Sequence, residues 1–238
     1  MLSSKLLPKL ICPAFSPSFL FSTQNQAKEA EPAKILTINT SINGLPNNKY
    51  RELTSGLESC KTMSTLVYYF RKYPKIITLY HLRLAFRRIA SLHMELIQDF
   101  WDVVFPYAKA LVKTANRESV DTMAACLLSL SELLIQDEEI WQVAQEKLVK
   151  EKMLRYVMLG NVPSLLYAFA NNKKGTKETM DAIENLILTH IKYYQGALNE
   201  KMFDHLKIAY DLMEKVPPPV IQELLSVKYR DPVPLPDL

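Results

Sequence analysis

Apolar residues recur every three or four positions along most of the chain after residue 60, and this spacing is the strongest constraint on the fold. It is the spacing of one face of an α-helix, and no stretch sustains the alternation of a β-strand. Only 5 of the 238 residues are glycine, fewer than a βα protein with phosphate-binding loops normally needs. We therefore predict an all-α fold. Its clearest stripes consist of Val120, Met123, Ala124, Leu127, Ser131 and Leu134; Met180, Ile183, Ile187, Ile191 and Tyr194; and Met202, Leu206, Ala209 and Met213.

Four short segments of similar pattern suggest that these helices repeat. They occupy residues 62–70, 122–130, 161–169 and 203–210. Aligning them places Leu66, Cys126, Leu165 and Leu206 at one register, with a wide first interval and two shorter, nearly equal ones. The shorter intervals match the separation of Trp101 and Trp141, each near the start of a helix. A period of about 40 positions with two helices per unit is typical of helical solenoids, because one hairpin cannot bury its own apolar face.

The sequence therefore predicts a short helical-repeat, α-solenoid-like array of antiparallel helix hairpins with extended N- and C-terminal segments. In such an array, Trp101 and Trp141 would occupy equivalent environments in consecutive layers. The alternative is an irregular helical bundle with leucine-rich helices.

Local signals indicate where several of the helices begin and end. Asn116, Asp137 and Thr176 are suited to cap helix N-termini. Gly175 is expected to take the left-handed conformation that closes the helix before it. Pro106 is expected to kink a helix that begins near residue 96, because it lacks a backbone N–H.

Residues 1–28 resemble an organelle-targeting segment. They carry three lysines, several hydroxylated residues and no acid. A secretory signal is the alternative, but Pro13 and Pro17 interrupt its apolar core. We expect import into mitochondria, with the protein in the matrix or on the matrix side of the inner membrane.

Four segments follow from these patterns. Residues 1–28 are the targeting-like segment, 29–60 a linker with one short helix near its end, and 61–215 the helical-repeat domain. Residues 216–238 form a proline-rich tail with one short helix. No apolar run reaches the roughly 20 residues that a transmembrane helix needs.

Residues that could carry catalysis are not arranged for it. No pair of histidines has the i, i+4 spacing of metal ligands, and no CxxC motif accompanies them. His190 borders an apolar stripe and is expected to be a hydrogen-bonded structural histidine, and Cys126 a buried inert thiol. Asp99 and Asp102 could form an acid–base pair, but solvated helix surface explains them better. We predict no enzymatic activity, no metal, no cofactor and no small-molecule substrate.

One stretch of the chain is strongly basic. No acid lies between Glu58 and Glu95. Arg83 and Arg87 are i, i+4, so their guanidinium groups can reach successive phosphates or a carboxylate pair. The candidate binding residues, called the basic patch below, are Lys61, Arg71, Lys72, Lys75, Tyr80, Arg83, Arg87 and Arg88.

The ligand of the basic patch is left open by the sequence. RNA, an acidic partner protein and anionic lipid headgroups all fit, and Tyr68, Tyr69 and Tyr73 could stack on bases. The alternative is a solvated basic face balanced by the acidic region 132–151.

Two features of the sequence resemble a known family. Helices begin with an acidic-x-Trp pattern in "DFWDVV" and "EEIWQVA", and helices of the "SLLYAF" type follow at a spacing of about 40 positions. Residues 96–214 resemble the helical repeats of FAST-kinase-like and RAP-type mitochondrial proteins, including octotricopeptide arrays. Residues 216–238 leave no room for the nuclease-like RAP domain of that family, so no enzymatic activity is implied.

Two functions remain. The resemblance implies a non-catalytic binding module in a mitochondrial RNA-processing or translation assembly. The near-neutral body of the chain, with 26 basic and 25 acidic residues after residue 28, favours a structural accessory subunit of a large inner-membrane complex, such as the respiratory chain or ATP synthase.

Overall fold

Helices account for all the regular secondary structure in residues 48–197 and 199–227, the part of the chain that this computed structural model describes. The predicted all-α fold is confirmed for these residues. None of their helices combines the length and hydrophobicity that a bilayer-spanning segment requires. The α-helices are α1 (Asn48–Ser59), α2 (Met63–Lys72), α3 (Leu79–Ser91), α4 (Phe105–Thr114), α5 (Val120–Glu132), α6 (Glu138–Gln145), α7 (Val162–Asn171), α8 (Lys177–Thr189), α9 (Ile191–Ala197), α10 (Glu200–Leu212) and α11 (Pro219–Val227).

Short helical turns join some of these elements. Phe100–Val104 and Glu146–Lys150 are π-helical, whereas Met153–Tyr156 and Leu159–Asn161 are 3₁₀ turns. Helix α1 lies in the predicted linker and buries Leu53 and Leu57 in the core.

The predicted short helix of the proline-rich tail corresponds to α11. The targeting-like segment, the first part of the linker and the last residues of the tail lie outside the described residues.

Several helices pack against a helix two or three places further along the chain. Helix α3 packs between α1 and α5, α5 also packs against α7, and α7 packs against α10. We call α1, α3, α5, α7 and α10 the inner series. The remaining helices contact one another in the same way: α2 packs on the π-helical turn before α4, α4 on α6, and α8 on the π-helical turn after α6.

Four helices of the inner series end in the same way. The second residue after α3, α5, α7 and α10 has a left-handed backbone, and the next N–H donates to the carbonyl five residues earlier, which is the Schellman motif. The left-handed residues are His93, Leu134, Lys173 and Glu214, with φ of 49°, 55°, 54° and 52°. The hydrogen bonds run from Met94 to Ile89 (3.0 Å), Ile135 to Leu130 (3.0 Å), Lys174 to Phe169 (3.1 Å) and Lys215 to Tyr210 (3.2 Å).

This shared ending fixes the register of the inner helices. Its left-handed residues recur at nearly equal intervals along the chain. Cys126, Leu165 and Leu206 each lie one helical turn before the carbonyl that accepts the Schellman bond, so these three residues share one register, as predicted. The corresponding residue of α3 is Ala85. Leu66 was therefore aligned wrongly: it belongs to α2, outside the inner series, which explains the wide first interval.

The two tryptophans do not occupy equivalent environments, and that prediction was wrong. Trp141 is fully buried against Phe169, and its Nε1 donates to the Ile135 carbonyl at 2.9 Å. Trp101 lies in a π-helical turn, is 37% exposed and packs edge-on against Phe105. Trp101 and Trp141 are separated by the expected repeat length, but their side chains point differently. The π-helical turn around Trp101 changes the direction in which its side chain projects.

The predicted boundaries are mostly correct. Asp137 accepts a hydrogen bond from the Ile140 N–H at 3.1 Å, and Thr176 accepts one from the Thr179 N–H at 3.3 Å. Asn116 is not the N-cap of α5, which is Ser119; it accepts two backbone hydrogen bonds in the turn that precedes the helix.

Gly175 is not the left-handed residue after α7, since Lys173 takes that conformation. A Cβ on Gly175 would instead overlap the Met180 side chain, which would have to shift to make room for it.

Pro106 acts through a π-helical turn rather than through an open break in the helix. It lies in the first turn of α4, directly after Phe100–Val104. The Phe105 N–H bonds to the Phe100 carbonyl, five residues back. Widening the turn in this way accommodates a residue that has no N–H to donate.

Most residues of the apolar stripes lie in the core, whereas several at the ends of the stripes, such as Met202, are only partly buried. Residues such as Met123, Leu127, Ile187 and Leu206 are fully buried. Leu134 is 65% exposed because it takes the left-handed position after α5 and leaves the helical face.

Candidate anion-binding groove

A groove of about 660 Å³ crosses the inner series from α3 to α10. Its floor comes largely from α5, and its far side from the segments that precede α7 and α10. The lining residues are Arg83 and Arg87; Ala124, Ala125, Leu128, Ser129 and Glu132; Met158, Leu159, Gly160, Asn161 and Ser164; and Tyr193, Asn199, Lys201 and Met202.

Arg83 and Arg87 form the basic side of this groove. They lie one helical turn apart on α3, where Leu82, Phe86 and Ile89 are buried and hold the helix in place. Neither guanidinium has a hydrogen bond or ion pair with any other described residue. Each presents unused N–H donors in a planar fork, the geometry that binds carboxylate or phosphate with two parallel hydrogen bonds.

Two other residues of the basic patch are paired with acids. Arg71 lies 3.2 Å from Asp99, and Lys72 lies 2.7 Å from Glu52. Hydrogen bonds with Glu52 and, to a lesser extent, Tyr73 raise the pKa of Lys72. Each of these cations therefore has an acidic partner within the protein, although both ion pairs are exposed to solvent.

The remaining residues of the basic patch lie outside the groove. Arg88 donates from Nε to the Cys60 carbonyl at 2.8 Å and so ties the α1–α2 connection to α3. Lys61 and Lys75 are exposed in the connections that flank α2. Tyr80 is partly exposed and packs edge-on against His81.

The aromatic cluster suggested for base stacking is only partly accessible. Tyr68 is exposed and meets Tyr69 edge to face. Tyr73 is buried, and the Lys72 ammonium lies 5.2 Å from its ring centre. The structure therefore divides the basic patch and brings only Arg83 and Arg87 into the groove.

The far side of the groove was missed by sequence reasoning. Lys201 lies 3.9 Å from Glu132 across it. The Asn161 side chain donates from Nδ2 to Asp121 at 2.8 Å, and Asn199 accepts from the Met202 N–H at 3.0 Å through Oδ1. In the sequence, these residues are marked only by their position. They lie just before, or in the first turn of, the inner helices α7 and α10.

The acidic region 132–151 forms no ion pair with the described residues of the basic patch, although its Glu132 lines the same groove as Arg83 and Arg87. Its carboxylates pair with other lysines, for example Glu139 with Lys109 at 3.0 Å and Glu146 with Lys150 at 3.8 Å. The acids that do pair with the basic patch, Glu52 and Asp99, flank the acid-free stretch on both sides.

One buried histidine adjoins the groove. His205 shares a hydrogen bond with the Ser164 hydroxyl at 2.8 Å and stacks on Tyr167, with ring centres 4.7 Å apart. Burial, with a smaller contribution from Lys201, lowers the pKa of His205 to about 4. The imidazole is therefore neutral at physiological pH and positions the groove wall.

His190 is exposed at the end of α8, so its expected structural role was wrong. Cys126 is buried as predicted: its thiol donates to the Leu79 carbonyl at 3.3 Å, and burial raises its pKa to about 12. That value leaves essentially no thiolate at neutral pH.

Candidate catalytic groups are not assembled in the part of the chain described. Asp99 pairs with Arg71, and Asp102 accepts from Gln98 at 2.8 Å. No group of three or more His, Cys, Asp or Glu residues with metal-binding geometry occurs within 48–197 and 199–227.

Neither the protein-family models nor the curated proteins contain a match to this chain. Its function is therefore inferred from the groove.

Proposed function

We propose that the protein is a non-catalytic helical-repeat binding module whose groove holds an anionic partner. The observation that carries this proposal is the pair Arg83 and Arg87, two guanidinium groups without protein partners among the described residues, at one side of a groove lined by four inner helices. Charged groups left without internal partners at the wall of a cleft are suited to a ligand of opposite charge.

The inner series supports the helical-repeat part of this proposal. Successive helices of the inner series, which are two or three apart in the chain, pack together, and four of them share one C-terminal motif that recurs at nearly equal intervals. An α-solenoid of helix hairpins accounts for both features, because stacked units place equivalent helices side by side and form a continuous groove.

We place this module in a mitochondrial RNA-processing or translation assembly, in the matrix or on the matrix side of the inner membrane. The support is the acid-free, lysine-containing segment 1–28 and the resemblance of residues 96–214 to FAST-kinase-like and RAP-type repeats. In such an assembly the groove would hold RNA or a protein component.

A structural accessory subunit of a large inner-membrane complex is the second candidate. It is favoured by the ion pairs of Arg71 and Lys72 with acids, which reduce the positive charge that the basic patch offers to a polyanion. In that role the protein would contact neighbouring subunits, or anionic lipid headgroups, without binding RNA.

The test reverses the charge of the groove. The variant Arg83→Glu/Arg87→Glu is compared with Lys61→Glu/Lys75→Glu, which makes the same change in net charge at exposed lysines outside the groove. Both should fold as the wild type does, since none of the four side chains has an internal partner among the described residues. Thermal unfolding followed by circular dichroism checks this.

Two measurements then follow. In extracts of the native cell, the groove variant should leave the high-molecular-weight fractions in which the wild-type protein sediments, and the lysine variant should remain there. Binding of labelled poly-uridylate RNA across a salt series distinguishes the candidates: binding that weakens steeply with salt and requires Arg83 and Arg87 supports the RNA assembly. If the wild-type protein does not bind the RNA, the structural accessory subunit is the candidate that remains. If both variants sediment as the wild type does, the groove is not the binding site.

A further inference from the structure

We propose that the occupant of the groove is an extended peptide segment of a partner protein, with an acidic side chain that binds Arg83 and Arg87. This inference rests on the proposed function, since it names the class of partner for the same groove. Three features of the groove carry it: its unused amide groups, its apolar side chains and its small number of cations.

The two asparagines on the far side each keep one amide atom unused. The Asn161 Nδ2 donates to the Asp121 carboxylate, so its Oδ1 is left as an acceptor. The Asn199 Oδ1 accepts from the Met202 N–H, so its Nδ2 is left as a donor. No described residue fills either position. An extended peptide offers both complements, since every residue other than proline has one N–H donor and one C=O acceptor.

The orientation of both amides is set by their partners. An ionised carboxylate only accepts hydrogen bonds, so it requires the Nδ2 of Asn161. A backbone N–H only donates, so it requires the Oδ1 of Asn199. The available acceptor and donor are therefore fixed features of the groove.

Apolar side chains lie between the polar groups at the sides of the groove. Ala124 and Leu128 of α5 line the floor, with Met158 and Met202 at the far side. Small alanine side chains allow a backbone to approach closely, and methionine adapts to apolar side chains of varied shape. A peptide with both apolar and acidic residues fits this surface.

Charge favours a peptide over RNA. Lys201 is the one lysine among the groove-lining residues, and Glu132 lies 3.9 Å from it, so a continuous phosphate backbone would meet a carboxylate. Tyr193 is the one aromatic residue among those lining the groove, whereas sequence-independent RNA binding usually stacks several bases. A single carboxylate needs only the forks of Arg83 and Arg87.

The width of the groove sets the length of the segment. Three spacings between neighbouring inner helices, each about 9 Å, amount to about 27 Å. An extended chain covers about 3.3 Å per residue, so about eight residues cross from α3 to α10.

The experiment selects ligands for the full-length protein from a phage library of random peptides about eight residues long. A synthetic, labelled copy of the most enriched peptide is then titrated by fluorescence anisotropy. Enriched peptides should share an aspartate or glutamate together with apolar residues. Arg83→Glu/Arg87→Glu should weaken binding by at least about tenfold, and Lys61→Glu/Lys75→Glu should bind as the wild type does.

A further variant tests the backbone contact. Asn199→Ser keeps an oxygen that can cap α10 and removes the free Nδ2 donor. Loss of one hydrogen bond should weaken the same peptide by about threefold to tenfold, while thermal stability stays close to that of the wild type.

The outcomes separate this inference from the proposed function. Selection without enrichment of acidic residues, or enriched peptides that bind the arginine variant as well as the wild type, overturns the peptide proposal. Poly-uridylate binding that requires Arg83 and Arg87 without any peptide binding overturns it too, and leaves the anion-binding module standing. If neither peptide nor RNA depends on these arginines, and the sedimentation of the arginine variant is unchanged, both proposals fail.

Discussion

Asn172 is a buried polar residue whose side chain has no hydrogen-bonding partner among the described residues. It follows the last residue of α7, and neither its Nδ2 nor its Oδ1 is satisfied. The neighbouring Asn171 differs, because its Nδ2 donates to both the Ser131 carbonyl and the Ser131 hydroxyl, at 3.1 and 3.0 Å. The two adjacent asparagines therefore allow a buried amide without partners to be compared with one that is hydrogen-bonded.

Replacing these asparagines should have opposite effects on stability. Asn172→Leu should raise the free energy of unfolding by about 1 kcal/mol, because an unsatisfied buried amide is replaced by an apolar group of similar size. Asn171→Leu should lower it by about 1–2 kcal/mol, since it leaves Ser131 without its partner. Urea unfolding measures both values. Destabilisation by Asn172→Leu equal to that by Asn171→Leu would contradict the account.

His81 is buried and takes part in a directed chain of hydrogen bonds. Its Nδ1 accepts from the Thr78 N–H at 3.2 Å, so Nε2 carries the proton and lies 3.3 Å from the Thr54 hydroxyl. Thr54 in turn donates to the Tyr50 carbonyl at 2.9 Å. Burial lowers the pKa of His81 to about 4.

Stability should fall when the pH drops from about 6.5 to 4. His81 and His205 both have folded pKa values of about 4, below the ordinary value of 6.5. The unfolded chain therefore binds more protons in this window, and the stabilisation present above pH 6.5 is lost as the pH approaches 4. The loss is up to about 3 kcal/mol for His81 and smaller for His205, which lies beside the open groove. Urea unfolding at several pH values checks this; a free energy that stays constant from pH 6.5 to 4.5 would exclude it.

At the scale of single elements, the left-handed residues after the inner helices are all larger than glycine. A side chain in this conformation costs about 1 kcal/mol, because its Cβ crowds the backbone. Lys173 is exposed, and its side chain takes no part in the core, so it isolates this cost.

Lys173→Gly should therefore stabilise the protein by up to about 1 kcal/mol. Lys113→Gly is the matched control, the same substitution at an exposed right-handed position in the last turn of α4, and should destabilise by up to about 1 kcal/mol. Thermal unfolding of both variants gives the comparison. A loss of stability at residue 173 as large as that at residue 113 would show that the left-handed conformation is not maintained.

The sequence predicted these elements well where side-chain burial determines them. The stripes through α5, α8 and α10 and the caps at Asp137 and Thr176 follow from short-range chemistry. The left-handed Lys173 did not follow, because the carbonyls of the preceding helix bind the next N–H groups even where the residue is not glycine. The π-helical turns could not be predicted either, since they shift the helical register without a periodic signal of their own.

At the scale of the whole molecule, packing between neighbouring units predicts that disturbances stay local. Helix α11 inserts Ile221 and Leu224 into the core and contacts α9. In the α-solenoid array proposed above, stability would be approximately a sum over units and their nearest-neighbour interfaces.

Ile221→Ala should therefore accelerate amide hydrogen exchange in α9 to α11 and leave α3 and α5 protected, because the lost contacts lie at one end of the array. Exchange followed by mass spectrometry at peptide resolution measures this. Leu127→Ala, in the centre of α5, is the comparison and should affect helices on both sides of it. A uniform rise in exchange throughout the described helices for Ile221→Ala would favour a single cooperative unit instead.

The site was less predictable than the fold because it depends on contacts between distant parts of the chain. The sequence identified Arg83 and Arg87, whose spacing on one helix is a local property. It could not show that Arg71 and Lys72 pair with Asp99 and Glu52, which belong to other elements of the fold. The far side of the groove was missed for the same reason, since its residues reach the groove only when α7 and α10 pack.

A photocrosslinking comparison in the native cell tests most directly whether the groove is the binding surface. The photoreactive amino acid benzoylphenylalanine replaces either Met158 or Tyr68. Met158 lines the groove and is 67% exposed, whereas Tyr68 lies on α2, outside the groove, and is 52% exposed. Irradiation should give crosslinked products from position 158, these should disappear with Arg83→Glu/Arg87→Glu, and position 68 should give none. Products from position 68 alone, or products from position 158 that persist in the arginine variant, would contradict the account.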